Sequence, residues 1–123
     1  MKQIVEYWGY ELLLDCAECD REKISSSENI DEYVKVLISR IDMKAYGEPQ
    51  IVYFGKHNEN VSGYTLTQLI ETSSITGHFV DKSGAAYINV HSCKQFDKKV
   101  VIETTQEFFN PKRIKDMMVY RLA

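Results

Sequence analysis

Six apolar residues, Ile30, Tyr33, Val34, Leu37, Ile38 and Ile41, recur at i, i+3, i+4, i+7, i+8 and i+11. That spacing places all six on one side of an α-helix and leaves the opposite side polar. A helix with a single apolar stripe buries it against one surface, so it forms an outer layer. SSSEN at 25–29 reads as a turn and helix start, with Asn29 placed to cap and Glu32 three residues on in a capping-box position. Gly47 and Pro49 close the connection that follows.

The surface under that helix comes from short apolar segments. GYELLLDC at 9–16 and QIVYFG at 50–55 read as strands, and HNENVSG at 57–63 as a polar turn. Residues 64–71 make a third strand, and 74–80 with 85–92 make a hairpin across DKSG. Asp97 is placed to cap a second helix, in which Phe96, Val100, Val101, Thr104 and Phe108 recur on one side and which Asn110–Pro111 ends. MMVYRL at 117–122 reads as a last strand. The order predicts an α+β fold: a two-layer α/β sandwich with a mostly antiparallel sheet and helices on one face. A chain of 123 residues has room for one such domain, spanning 1–123.

Charge and patterning exclude several roles. The net charge is -3, and the basic residues are scattered apart from Lys112, Arg113 and Lys115, which argues against a nucleic-acid partner. No apolar run reaches the length that spans a membrane. MKQIVEYWGYELLLD lacks the shape of a signal peptide because Glu6 and Glu11 interrupt it, so a cytoplasmic location is expected. The three cysteines are then expected as reduced thiols. Cys16 and Cys19 form a C-x-x-C with no second Cys/His pair and acidic surroundings, a weak pattern from which no metal site is expected. No GxGxxG or P-loop pattern offers a phosphate cradle.

The segment IETSSITGHFVDKSGAAYINVHSC, residues 70–93, carries the unusual chemistry. Singly, Thr72, Ser73 and Ser74 suit a turn, His78 suits a sheet, and Cys93 suits a small buried site. Together they are the parts of a nucleophile and acid–base site. One difficulty is geometric. Ser73 and His78 are five residues apart, and odd spacing on a strand puts them on opposite faces. A bulge, or a chain broken near Ser73, would let them meet. His57 lies in a polar turn and is expected in solvent, while His91, two residues before Cys93, is expected in the sheet on the same strand face.

This segment resembles the active-site region of the small bacterial and archaeal S-adenosylmethionine decarboxylases. In that family an internal serine is followed by a His five residues on, and the His by a Cys fifteen residues on. Ser73, His78 and Cys93 repeat both intervals. Gly84 matches the glycine before the alanine-rich strand, and His91-Ser92-Cys93 its ending. Thr65 sits eight residues before Ser73, where the family has a Ser or Thr that assists processing. GYELLLDCAECDRE at 9–22 resembles the family's first strand and acidic turn, so the likeness runs from about residue 9 to 109.

The resemblance implies self-cleavage between Thr72 and Ser73, with Ser73 becoming a pyruvoyl group. It implies that His78 is the processing base, that Thr65 assists the acyl shift, and that Cys93 is the proton donor in catalysis. The chemistry is coherent. A carbonyl that forms a Schiff base with a substrate amine is the electron sink a decarboxylation needs, so the chain would supply its own cofactor. The resemblance also implies a dimer of cleaved protomers with sites at the interface, and a role in making spermidine and related polyamines.

Two departures keep other readings open. Thr72 stands where the family commonly has Glu, and Phe79-Val80-Asp81-Lys82 where it commonly has Thr-Trp-Pro-Glu. Lys82 thus puts a cation in place of an acid, which admits an amino acid such as ornithine or arginine as substrate. An uncut relative that binds a metabolite or regulates a true decarboxylase is the reading of another class. An adenosine-bearing sulfonium would want aromatic faces. Trp8, Tyr10, Tyr53, Phe54, Tyr64 and Phe79 can supply them, although most are expected in the core.

Overall fold

The structure, a computed structural model, describes residues 6–123, so the opening MKQIV of the stretch read for a leader lies outside it. The elements run β1 (Tyr7–Ala17), α1 (Arg21–Ile24), α2 (Ser27–Arg40), β2 (Gln50–Phe54), β3 (Gly63–Ile70), β4 (Ser73–Phe79), β5 (Ala86–Ser92), α3 (Lys98–Phe109) and β6 (Arg113–Leu122). The strands form one sheet in the order β2-β3-β4-β5-β1-β6, with every neighbouring pair antiparallel. The two-layer α+β reading is the fold observed.

Period-two alternation divides the sheet into an inner and an open face. Leu12, Leu14, Leu66, Ile70, Ile75, Phe79, Ala86, Ile88 and Val90 point inward and are buried. The six stripe residues of Ile30–Ile41 pack onto them and are likewise buried. From α3 come Val101, Thr104, Thr105 and Phe109. Val101 and Thr104 of the expected stripe are buried, whereas Phe96, Val100 and Phe108 are only partly so and the side is completed by Thr105 and Phe109. The arrangement follows the partner. Tyr33, fully buried on α2, donates to or accepts from Thr105 Oγ1 at 2.7 Å and meets the Phe109 ring at 4.7 Å between centroids.

The cap of α2 also differs from expectation. Ser26, not Asn29, is the N-cap, and its Oγ accepts from the Asn29 amide at 3.1 Å. Asn29 instead spends its side chain between elements, donating to the carbonyls of Lys23 and Phe108. Asp97 caps α3 as expected, and Asn110 closes it in the left-handed region at φ 44.

Among the proposed aromatic platforms only Phe79 is fully buried, whereas Trp8 and Phe54 are exposed. The open face is mixed, with apolar side chains set among polar ones such as Thr65, Thr76, His78, Asn89 and Glu11. Phe54, Leu69, Tyr87, Met117 and Val119 lie on it, Phe54 and Leu69 more than half exposed. No helix among the described residues is long and apolar enough to cross a membrane.

Candidate active site

The β3–β4 hairpin turns through two residues, Glu71 and Thr72, because Ile70 pairs directly with Ser73. Thr72 stands at φ 58. For a β-branched residue this left-handed conformation is an outlier that costs on the order of 1–3 kcal/mol. Contacts from both sides hold it there. The Glu71 amide donates to the Lys44 carbonyl at 3.2 Å, and the Tyr46 amide to Leu69 at 2.9 Å, so the segment after α2 straps the turn. Buried Gln68 ties down the same segment through the carbonyls of Tyr46 and Gly47.

Thr72 Oγ1 donates to the Glu71 carbonyl at 2.6 Å, which commits its one proton. Cys93 Sγ lies 2.8 Å from the same oxygen, so the thiol is the donor in that pair. Cys93 follows the end of β5, in the chain segment that passes Gly9 of β1. A Cβ on Gly9 would sit 2.5 Å from the Ser92 carbonyl oxygen and 3.2 Å from Cys93 Cα. Glycine is required there by close approach of backbone to backbone. Ser73 is in phase with Ile75, Gly77 and Phe79, so its side chain points inward, where Ser73 Oγ donates to Ser92 Oγ at 3.1 Å. Ser73, Thr72, Cys93, Lys44 and Lys94 line a cleft of about 280 Å³ at this end of the sheet.

His78 is elsewhere. It lies on the open face near the other end of β4, paired with Thr65, and its Nδ1 is 3.3 Å from Thr65 Oγ1. Five residues of strand separate it from Ser73, a span of roughly 16 Å. The candidate residues thus form two clusters within one chain: Thr72, Ser73 and Cys93 at the turn, Thr65 and His78 on the open face.

The remaining candidates take structural places. Lys82 pairs with Glu59 Oε1 at 2.8 Å in the β4–β5 connection and does not line the cleft at Ser73. His91 lies in β5, stacked on Trp8 and 3.1 Å from Glu11 Oε1, which also pairs with Arg121. Cys16 and Cys19 are buried free thiols, and the hydrogen bond Cys16 donates to Cys19, together with burial, pushes the Cys16 thiol well up. Among the described residues no group of three or more His, Cys, Asp or Glu side chains is placed to hold a metal ion.

Ser92 and Gly9 were not singled out from sequence. A signal for Ser92 existed: a hairpin that pairs Phe79 with Ala86 pairs Ser73 with Ser92 in the same register.

Comparison with known proteins converges on one family. The model of the family described as S-adenosylmethionine decarboxylase matches residues 10–122. The S-adenosylmethionine decarboxylase proenzymes of two Clostridium botulinum strains, Langeland and Okra, are each 26% identical over 117 residues, 93% of this chain and 96% of theirs. The crystal structure of the adenosylmethionine decarboxylase from Aquifex aeolicus superposes with a TM-score of 0.80 at 21% identity, covering 97% of this chain and 94% of that one. With nearly its whole length matched, this chain belongs to the S-adenosylmethionine decarboxylase family of carboxy-lyases.

Proposed function

We propose that this chain is a proenzyme that cuts itself between Thr72 and Ser73, converts Ser73 to a pyruvoyl group, and decarboxylates S-adenosylmethionine for spermidine synthesis. The observation that carries the reading is the turn itself: a Thr held in the left-handed region at the bond to be cut, with Cys93 Sγ 2.8 Å from its hydroxyl. Local strain at a functional site is kept only where surrounding contacts enforce it.

Maturation balances with one water consumed and ammonia released. Ser73 Oγ attacks the Thr72 carbonyl carbon, the C–N bond breaks, and the hydroxyl proton ends on the freed Ser73 amine. A base, His78 in this reading, removes the Ser73 α-proton and the Cβ–O bond of the ester breaks. Thr72 leaves as a carboxylate. The enamine left at residue 73 isomerises to an imine, and water replaces its nitrogen with oxygen.

The residues present suit a pyruvoyl group at position 73, because the position opens onto the cleft and Cys93 lies on its wall. That group would supply a carbonyl able to take up the electron pair released as the carboxylate departs. In this reading Cys93 holds a proton at that wall and delivers it to the carbon that lost the carboxylate. Lys94, tied to the Asp42 carbonyl at 2.7 Å, holds a positive charge at the rim.

The split between the two clusters supports a homodimer. Within one chain His78 and Thr65 are on the wrong face and too distant to serve Ser73. A second copy laid against the open face would bring its own Thr65–His78 pair toward the Thr72–Cys93 end. Burial of Phe54, Leu69 and Val119 would drive that association.

The test is carbon dioxide release from S-adenosylmethionine, ornithine and arginine, by the wild type and by Ser73→Ala. The reading expects release from S-adenosylmethionine alone and an uncut, inactive alanine variant. An uncut variant that retains activity contradicts it. Release from an amino acid instead moves the substrate to that class.

A further inference from the structure

We infer that Ser92 is a positioning residue for self-cleavage, holding the Ser73 hydroxyl in its attacking orientation; the inference rests on the maturation reading above. Ser92 is wholly buried. Its Oγ accepts from Ser73 Oγ at 3.1 Å and from the Lys94 amide at 2.9 Å, while its own proton points to Met43 Sδ at 3.7 Å. Thioether sulfur is a weak acceptor, so the two accepted bonds define the role of this hydroxyl.

The consequence is for Ser73. Its single proton is committed to Ser92, which fixes the χ1 rotamer and leaves the oxygen lone pairs directed away from Ser92. The adjacent Thr72 carbonyl carbon is the electrophile those lone pairs must reach. Proton donation to a fixed acceptor also raises electron density on the attacking oxygen. Ser92 exchanges no atom in the step. Oγ–C forms, C–N breaks, and the Ser73 proton passes to the Ser73 amine.

Lys94 N–H keeps Ser92 in place from the other side, and the Met43 segment covers it. The device acts on a hydroxyl that exists only before cleavage. Its effect falls on the acyl shift.

The experiment is a time course of chain splitting after cell-free synthesis, read by intact mass, for the wild type, Ser92→Ala, Ser92→Thr and His78→Ala, each with and without hydroxylamine. Threonine keeps the hydroxyl and suits a strand. Loss of one oriented hydrogen bond should slow the alanine variant about tenfold, with threonine restoring most of the rate. Hydroxylamine, which cleaves an ester already formed, should not rescue the alanine variant but should cleave His78→Ala, where the ester accumulates.

Splitting of Ser92→Ala at the wild-type rate overturns the inference. So does equal slowing of Ala and Thr, which would mean a packing role, or rescue of Ser92→Ala by hydroxylamine, which would place its effect after the acyl shift. A wild type that stays one chain overturns the maturation reading itself.

Discussion

The Cys93 thiol donates to the Thr72 hydroxyl across 2.8 Å, joining the end of β5 to the tightest turn of the sheet. Thr72 precedes the bond proposed to break. In the proposed reading Cys93 stands at the cut before maturation and beside residue 73 after it, and serves turnover as proton donor, not cleavage. Cys93→Ala is expected to split into two chains while its decarboxylation rate falls by about two orders of magnitude. Chain ratio and carbon dioxide release on the same sample check it; equal loss of both would assign Cys93 to processing.

Strain at Thr72 should favour the precursor's reaction. Glycine adopts φ 58 without penalty, so Thr72→Gly should stabilise the uncut chain by roughly 1 kcal/mol and slow splitting. Thr72→Ser retains the hydroxyl and most of the strain, and should split near the wild-type rate. Urea unfolding of both variants in a Ser73→Ala background measures the stability, where no cleavage interferes.

Mixed dimers test the division of the site. Ser73→Ala retains Thr65 and His78, and His78→Ala retains Thr72, Ser73 and Cys93. Each alone should stay uncut. Refolded together, they should cut only the His78→Ala chain, at the one complete site of the mixed dimer, because its Ser73 then meets the intact His78 of the other copy. Mass spectrometry distinguishes the chains. No cutting in the mixture, with association verified, would place the whole site within one protomer.

Gly9 lets the β1 backbone pass close to Ser92 and Cys93. Any Cβ there meets the Ser92 carbonyl at 2.5 Å, a backbone atom that cannot rotate away. Gly9→Ala is expected to lower the melting temperature, by overpacking that costs about 1–3 kcal/mol. It should also reduce kcat more than it raises KM, because the shift falls on the backbone of Cys93, the proposed proton donor. An unchanged kcat in the folded variant would show that the end of β5 absorbs the methyl without moving Cys93.

Much of the fold was legible because burial and periodicity coincide. The Ile30–Ile41 stripe has one apolar side, and the DKSG hairpin fixes its own register. The errors arose where local signals tie. Ser26 and Asn29 are both good caps, and the carbonyls of nearby Lys23 and of Phe108, distant in sequence, draw the Asn29 side chain away. Val101 and Thr104 are buried as the stripe expects, but Thr105 and Phe109 lie on that side too, held against Tyr33, and Phe108 at its edge is only partly buried. β6 begins with Arg113 and includes Lys115 and Asp116, so its first half shows no apolar alternation.

At the site, alternation rightly separates Ser73 from His78. Sequence cannot show that Cys93 curls back to the turn, or that β1 passes near enough to require Gly9. Both are contacts between segments far apart in the chain, set by the sheet order.

The most direct measurement of the central claim is the intact mass of the purified protein under denaturing conditions. Two chains, 1–72 and 73–123, with the second lacking a free amine and reacting as a ketone, are the result expected. A single full-length chain that persists on long incubation would contradict self-cleavage at Ser73, and would favour a relative that binds without cutting itself.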